Sequence, residues 1–82
     1  SGNQYMEKHH LIPLKYYNQF DNYLDDISNI ISICPICHRL LHAGKKEIAI
    51  SVIEKLLEKN KERLKRAGLY ISLEELEKMY FN

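Results

Sequence analysis

Between Lys46 and Ala67 the apolar residues Ile48, Ala49, Val52, Ile53, Leu56, Leu57 and Leu64 recur at helical spacing among Lys, Glu and Arg. The spacing predicts an amphipathic helix of roughly six turns at 3.6 residues each. Asn60 interrupts the stripe, and Gly68 is the expected stop. Beyond it, Ser72-Leu-Glu-Glu75 has the form of a capping box, with Ile71 placed to staple onto Leu76, and predicts a short last helix to about Tyr80.

Ahead of Lys46 the pattern changes. Asn3 to Ile12 reads as a strand that breaks at Pro13, a residue unable to donate to a ladder. Ile30 to Ile33 is largely apolar and β-branched, the length of a second hairpin strand. Lys15 to Ser28 is a long connection whose aromatics, Tyr16, Tyr17, Phe20 and Tyr23, are read first as core, with a short helix or packed turn as the other option. Pro35 suits a first helical turn and Gly44 a stop, so a helix is expected between them, with Leu40 and Leu41 directed at the hairpin. The expected class is α+β: hairpin, helix, long amphipathic helix, short terminal helix.

The chain has 82 residues, enough for one small domain (3–82, with 3–44 as core and 45–82 as a helical extension) whose single core is marginal unless a metal, a partner or further chain supports it. Ser1-Gly2 resembles the remnant of a removed tag, so the chain is expected to be a fragment of something longer. A formal net charge of +1 excludes a polybasic nucleic-acid binder, although residues 45–66 carry eight Lys/Arg against four Asp/Glu. Two cysteines are too few for a disulfide framework, and no signal peptide or long apolar span is present, so the cytoplasm is expected and a membrane role is not. The apolar stripe between Ile48 and Leu64 suits a homodimer interface as well as an internal core.

All four histidines fall in two short stretches: His9 and His10 in Glu-Lys-His-His-Leu-Ile-Pro, and His38 and His42 after Cys34-Pro-Ile-Cys37. Imidazole is the commonest protein metal ligand and titrates near neutrality, so this concentration points to a metal, a proton shuttle, or both. His38 and His42, four apart, lie on one helical face and can share an ion. His9 and His10, adjacent on a strand, leave on opposite faces, so that one can bind metal while the other handles protons. Cys34 and Cys37 have metal-ligand spacing but lack two further thiols for a four-cysteine site.

The tandem histidines, Asn29 before an apolar strand, and Cys-Pro-x-Cys-His-x-x-x-His together resemble the HNH nuclease motif of the ββα-metal (His-Me finger) fold, in its McrA-like restriction endonuclease branch. The interval from Asn29 through His38 to His42 also resembles that of the colicin DNase domains. The resemblance covers Tyr5 to Gly44. It implies that His10 is the general base, that His9, His38 and His42 hold one divalent ion (Mg, Mn, Ni or Zn), and that Asn29 ties the hairpin loop and helps fix the base. Asn22 is the weaker candidate for that last role. DNA is the implied substrate, cut to 5′-phosphate and 3′-hydroxyl ends in the restriction of foreign or modified DNA, with recognition in a domain outside this chain.

In such relatives Cys34 and Cys37 would join a second Cys-x-x-Cys upstream to bind a structural zinc; here the two stand alone, as half of such a site or as small buried hydrophobes. Arg39 and Lys45 are the expected grips on the scissile strand, ahead of the cluster Lys61, Arg63, Lys65 and Arg66. The competing expectation is a noncatalytic zinc module for nucleic acid or protein, closed by Cys34, Cys37 and two histidines.

Overall fold

In a computed structural model, which describes residues 5–81, the chain runs β1 (Glu7–His10), a 3-10 helix (Leu14–Gln19), a second 3-10 turn (Ile27–Asn29), β2 (Ile30–Ile33), α1 (Pro35–Ala43), α2 (Lys46–Arg66) and α3 (Leu73–Phe81). The two strands pair antiparallel, with Glu7 opposite Ile33, His9 opposite Ile31 and His10 opposite Ile30. Opposed residues share a face of the ribbon, so His9 and Glu7 lie on the side of the buried Ile31 and Ile33, while His10 leaves on the other side. Hairpin and α1 form the expected ββα unit.

The first strand ends two residues earlier than the sequence suggests; Asn3, where it was expected to begin, lies outside the described residues. Leu11 and Ile12 are both fully buried, which a hairpin strand open to solvent on one face cannot achieve for neighbours. The chain bends there instead. The Leu11 N–H still reaches the Asn29 carbonyl, and the Ile12 backbone bonds to the Asn29 side chain.

The long connection is partly ordered by its aromatics. Tyr16 and Phe20 pack against the core as expected, whereas Tyr17 and Tyr23 are exposed. Asn22 turns out to be a clasp: its amide donates to the Ala67 carbonyl at the end of α2.

α1 begins where proline allows, with Pro35 in its first turn and the Cys34 sulfur accepting from the Cys37 N–H as an N-cap. Leu41 is buried against the hairpin, but Leu40 is only half-buried and lines an apolar hollow with Ile48, Val52 and Leu56.

In α2 the stripe expected from spacing is the buried face: Ala49, Ile53, Leu57 and Leu64 all point inward, leaving Ile48 at the first turn exposed. Much of the stripe is therefore used inside the chain. Asn60 does not interrupt it but belongs to it, buried with its amide on the Leu56 carbonyl and its oxygen accepting from Arg63. Arg63, one of the cluster Lys61, Arg63, Lys65 and Arg66, in turn reaches the Ile27 and Ile30 carbonyls and holds the start of β2 against α2.

The helix ends in a Schellman motif, Leu69 N–H to Leu64 and Gly68 N–H to Lys65, with Gly68 at φ 77°. The capping box of α3 forms reciprocally, Glu75 N–H to Ser72 Oγ at 3.1 Å and Ser72 N–H to Glu75 Oε1 at 3.0 Å. Hydrogen bonding to the carboxyl from the Ser72 backbone N–H, and then from the Ser72 side chain, holds Glu75 below the ordinary range. One contiguous apolar cluster joins Leu11, Ile12, Leu24, Ile31, Ile33 and Leu41 to Ile53, Leu57, Leu64, Leu69, Leu76 and Met79. Hairpin and helical extension thus share a core.

Candidate functional site

Three imidazoles converge beside the hairpin. His9 comes from β1, and His38 and His42 come from successive turns of α1; one ligand atom from each lies within 4.8 Å of the others. Ring centroids are 5.0 Å apart for His9 and His38, 5.4 Å for His9 and His42, and 5.0 Å for His38 and His42. The cause is local on both sides: the i, i+4 spacing aligns the helical pair, and the strand register turns His9 toward the face shared with Ile31.

The chemistry of this set fits a divalent ion. A tetrahedral centre with metal–nitrogen bonds of 2.0–2.1 Å has donor atoms about 3.4 Å apart, and here one ligand atom of each imidazole lies within 4.8 Å of the others. Ligation also requires neutral imidazole. Burial lowers the pKa of His9 to about 4, with further lowering by His38, His42 and His10. His42 is lowered by the same cause first, burial, and then by His38.

Outer partners are in place as well. His38 Nδ1 donates to Glu7 Oε1 at 2.8 Å, which leaves Nε2 for an ion. Tyr80 approaches His9 from α3, with its oxygen 2.9 Å from His9 Nε2. Burial pushes the Tyr80 phenol well above its ordinary pKa, so it stays protonated.

His10 stands apart from this group on the opposite face of β1, its Nε2 2.9 Å from Asp25 Oδ1. Its side chain is 30% exposed and that of Asp25 75% exposed, so the pair is open to solvent. Sequence reading passed over Asp25, one of several acids in a loop, because nothing local couples it to a residue 15 positions away.

Asn29 is fully buried and saturated. Its Oδ1 accepts from Ile12 N–H at 2.8 Å, and its Nδ2 donates to the carbonyls of Ile12 and Leu24 at 3.0 and 2.9 Å. It fastens the connecting loop to the backbone just past His10.

Arg39 lines an open hollow of about 300 Å³ with Glu7, His38 and His42. Lys45 is exposed at the N-cap of α2 and is not among that hollow's lining residues. Cys34 and Cys37 sit on another side, against an apolar hollow lined also by Met6, Ile33, Ile48 and Val52. Neither sulfur joins the three imidazoles among the described residues. The Cys37 backbone N–H pulls the Cys34 thiol below its ordinary value, and hydrogen bonding to Cys34 raises that of Cys37.

An antiparallel hairpin and a following helix that bring three imidazoles to one point define a ββα unit with three donors for a metal ion. The family comparison agrees: the HNH endonuclease model matches residues 1–44, and the chain belongs to that family. Over 44 residues it is 43% identical to the Type IV methyl-directed restriction enzyme EcoKMcrA of Escherichia coli (strain K12), a match covering 54% of this chain and 14% of that protein. No solved structure matches.

Proposed function

We propose that this chain is the nuclease module of a restriction enzyme, hydrolysing DNA phosphodiesters with His10 as general base and one divalent ion held by His9, His38 and His42. The observation that carries the reading is the division of labour across β1: three imidazoles gathered on one face, and a fourth on the other face bonded to a carboxylate.

Hydrolysis needs a water made nucleophilic on one side of phosphorus and charge neutralised where the 3′ oxygen departs. A divalent ion supplies Lewis-acid stabilisation of the phosphate and the leaving oxygen. His10 takes the proton of the attacking water. With Nε2–H given to Asp25, the lone pair for that proton is on Nδ1, and the carboxylate steadies the imidazolium that forms. Asn29 positions this unit by fixing the chain on either side of it. Arg39 pairs with a backbone phosphate at the edge of the histidine hollow, and Lys45 contributes from the start of α2.

The relative's description as a methyl-directed restriction enzyme supports modified DNA as the target, and the cytoplasm is the compartment where such DNA would be met. Base recognition falls to parts outside this chain, and two copies would account for cutting both strands. A closed zinc site of Cys34, Cys37 and two histidines is disfavoured because the sulfurs face a different hollow from the imidazoles. A structural zinc at the two cysteines, completed by further donors, is compatible with that placement.

Plasmid nicking with Mg²⁺, Mn²⁺, Ni²⁺ or Zn²⁺ tests the reading. The parent nicks, and His10→Ala loses about 10²- to 10⁴-fold in rate while still binding metal. A parent inert with every metal, yet holding one zinc per chain, would mean a binding module and not an enzyme.

A further inference from the structure

The family match ends at residue 44, but a contact to the histidine cluster comes from residue 80. The Tyr80 oxygen lies between two partners. On one side is the Leu11 carbonyl, on a fully buried residue; on the other is His9 Nε2 at 2.9 Å. A carbonyl can only accept, and a phenol has one proton. Both contacts are satisfied together only if Tyr80 O–H donates to Leu11 and its oxygen accepts from His9 Nε2–H. His9 then carries its proton on Nε2, and its lone pair is on Nδ1.

We propose that Tyr80 is a positioning residue for the metal site: it fixes the tautomer of His9 so that Nδ1 faces the ion, and thereby makes α3 part of the site. This rests on the reading of His9 as a ligand. His38 is handled the same way from the other side, with Glu7 holding Nδ1–H and Nε2 left free. A carboxylate and a phenol therefore orient two of the three imidazoles oppositely, through different nitrogens. A ligand's outer hydrogen bond sets which nitrogen binds and how strongly.

The placement of Tyr80 is secured independently. Leu76 and Met79 bury α3 in the shared core, the Tyr16 hydroxyl donates to the Met79 carbonyl, and Lys46 Nζ sits 5.6 Å from the Phe81 ring centroid. The last turn of α3 is thus held from several directions. Because residue 80 is 71 positions from His9, no motif confined to the hairpin and α1 includes it.

The test uses the full chain and two readouts. Long-range ¹H–¹⁵N NMR of the metal-free parent should find His9 as the Nε2–H tautomer; an Nδ1–H tautomer would overturn the proposal without any mutation. Calorimetric titration with Zn²⁺ should then show Tyr80→Phe, which keeps the ring and removes the hydroxyl, binding about 10- to 100-fold more weakly than the parent. Tyr16→Phe, which loosens α3 without touching His9, should bind within a factor of about two, inside ordinary scatter for a distant site. Equal weakening by both phenylalanine variants, or unchanged affinity and tautomer in Tyr80→Phe, refutes the role of Tyr80 and leaves the metal site standing. A folded parent that takes up no Zn²⁺, Co²⁺ or Ni²⁺ refutes the metal site itself, and this inference with it.

Discussion

Asn29 and Ile12 exchange a reciprocal pair of hydrogen bonds, Ile12 N–H to Asn29 Oδ1 at 2.8 Å and Asn29 Nδ2 to the Ile12 carbonyl at 3.0 Å, in a region with no access to solvent. One side chain therefore does for a bend what a neighbouring strand does for a ladder. It lets β1 end at His10 and lets Leu11 and Ile12 both enter the core. Asn29→Ala leaves the Ile12 N–H and two carbonyls buried without partners, and should lower stability by about 2–4 kcal/mol. Asn29→Asp cannot donate to the carbonyls of Ile12 and Leu24 and should also destabilise. Urea unfolding midpoints of the metal-free proteins measure both.

A second prediction concerns pH. His9 has its pKa lowered from 6.5 to about 4 in the fold, chiefly by burial. Between those values the unfolded chain binds a proton that the folded chain excludes, so stability falls as pH drops from about 6.5 and stops falling from this source below about 4. His42 shifts in the same direction and adds to the slope. Denaturant unfolding in the presence of a chelator should give this profile, and His9→Gln should flatten it. A parent whose stability is level across that range would contradict the burial of His9 as a neutral ring.

Metal should couple to folding. The three clustered imidazoles come from a hairpin and a short helix, and the unfolded chain has no preformed site, so the free energy of an ion bound there adds to stability. Saturation at 100 times Kd stabilises by about 2.7 kcal/mol. Calorimetric melts should move up with Zn²⁺ in the parent and return on chelation. In His38→Ala and His42→Ala the shift should largely vanish, while His10→Ala should keep it. Loss of the shift in His10→Ala would place that ring among the ligands.

At the end of α2, Gly68 has φ 77°, and a Cβ built on it would lie 1.9 Å from the Asn22 amide nitrogen. Gly68→Ala should therefore cost about 1–3 kcal/mol, from left-handed backbone strain together with displacement of the Asn22 clasp. Thermal melts quantify it. Asn22→Ala combined with Gly68→Ala should cost less than the two separate losses added, because the clash disappears with the amide.

Much of this architecture was legible in the chain, and the exceptions are instructive. Asn60 reads as a break in an apolar stripe because hydropathy scores the residue type. The structure keeps it inside because the Leu56 carbonyl and Arg63 satisfy its amide. Arg63 reads first as part of the solvated face of its helix, with phosphate contact a further option, and in the fold it binds the carbonyls of Ile27 and Ile30. In both cases the deciding partner lies on another turn or another element. Tyr17 and Tyr23 were read with Tyr16 and Phe20 as core, but a connection with no repeating period gives no rule for which aromatics face inward.

The sequence by itself determined what depends on neighbours along the chain: the i, i+4 pairing of His38 and His42, the opposite exits of His9 and His10, the capping box at Ser72 and the glycine stop at Gly68. These follow from helical and strand periodicity and from backbone sterics, which act over a few residues. Only the tertiary structure decided that Asp25 holds His10 and that Tyr80 holds His9. Those contacts depend on how α3 and the long connection dock on a shared apolar core. Docking is set by the packing of side chains that are distant in sequence, and local pattern does not encode which of their polar neighbours will be carried along.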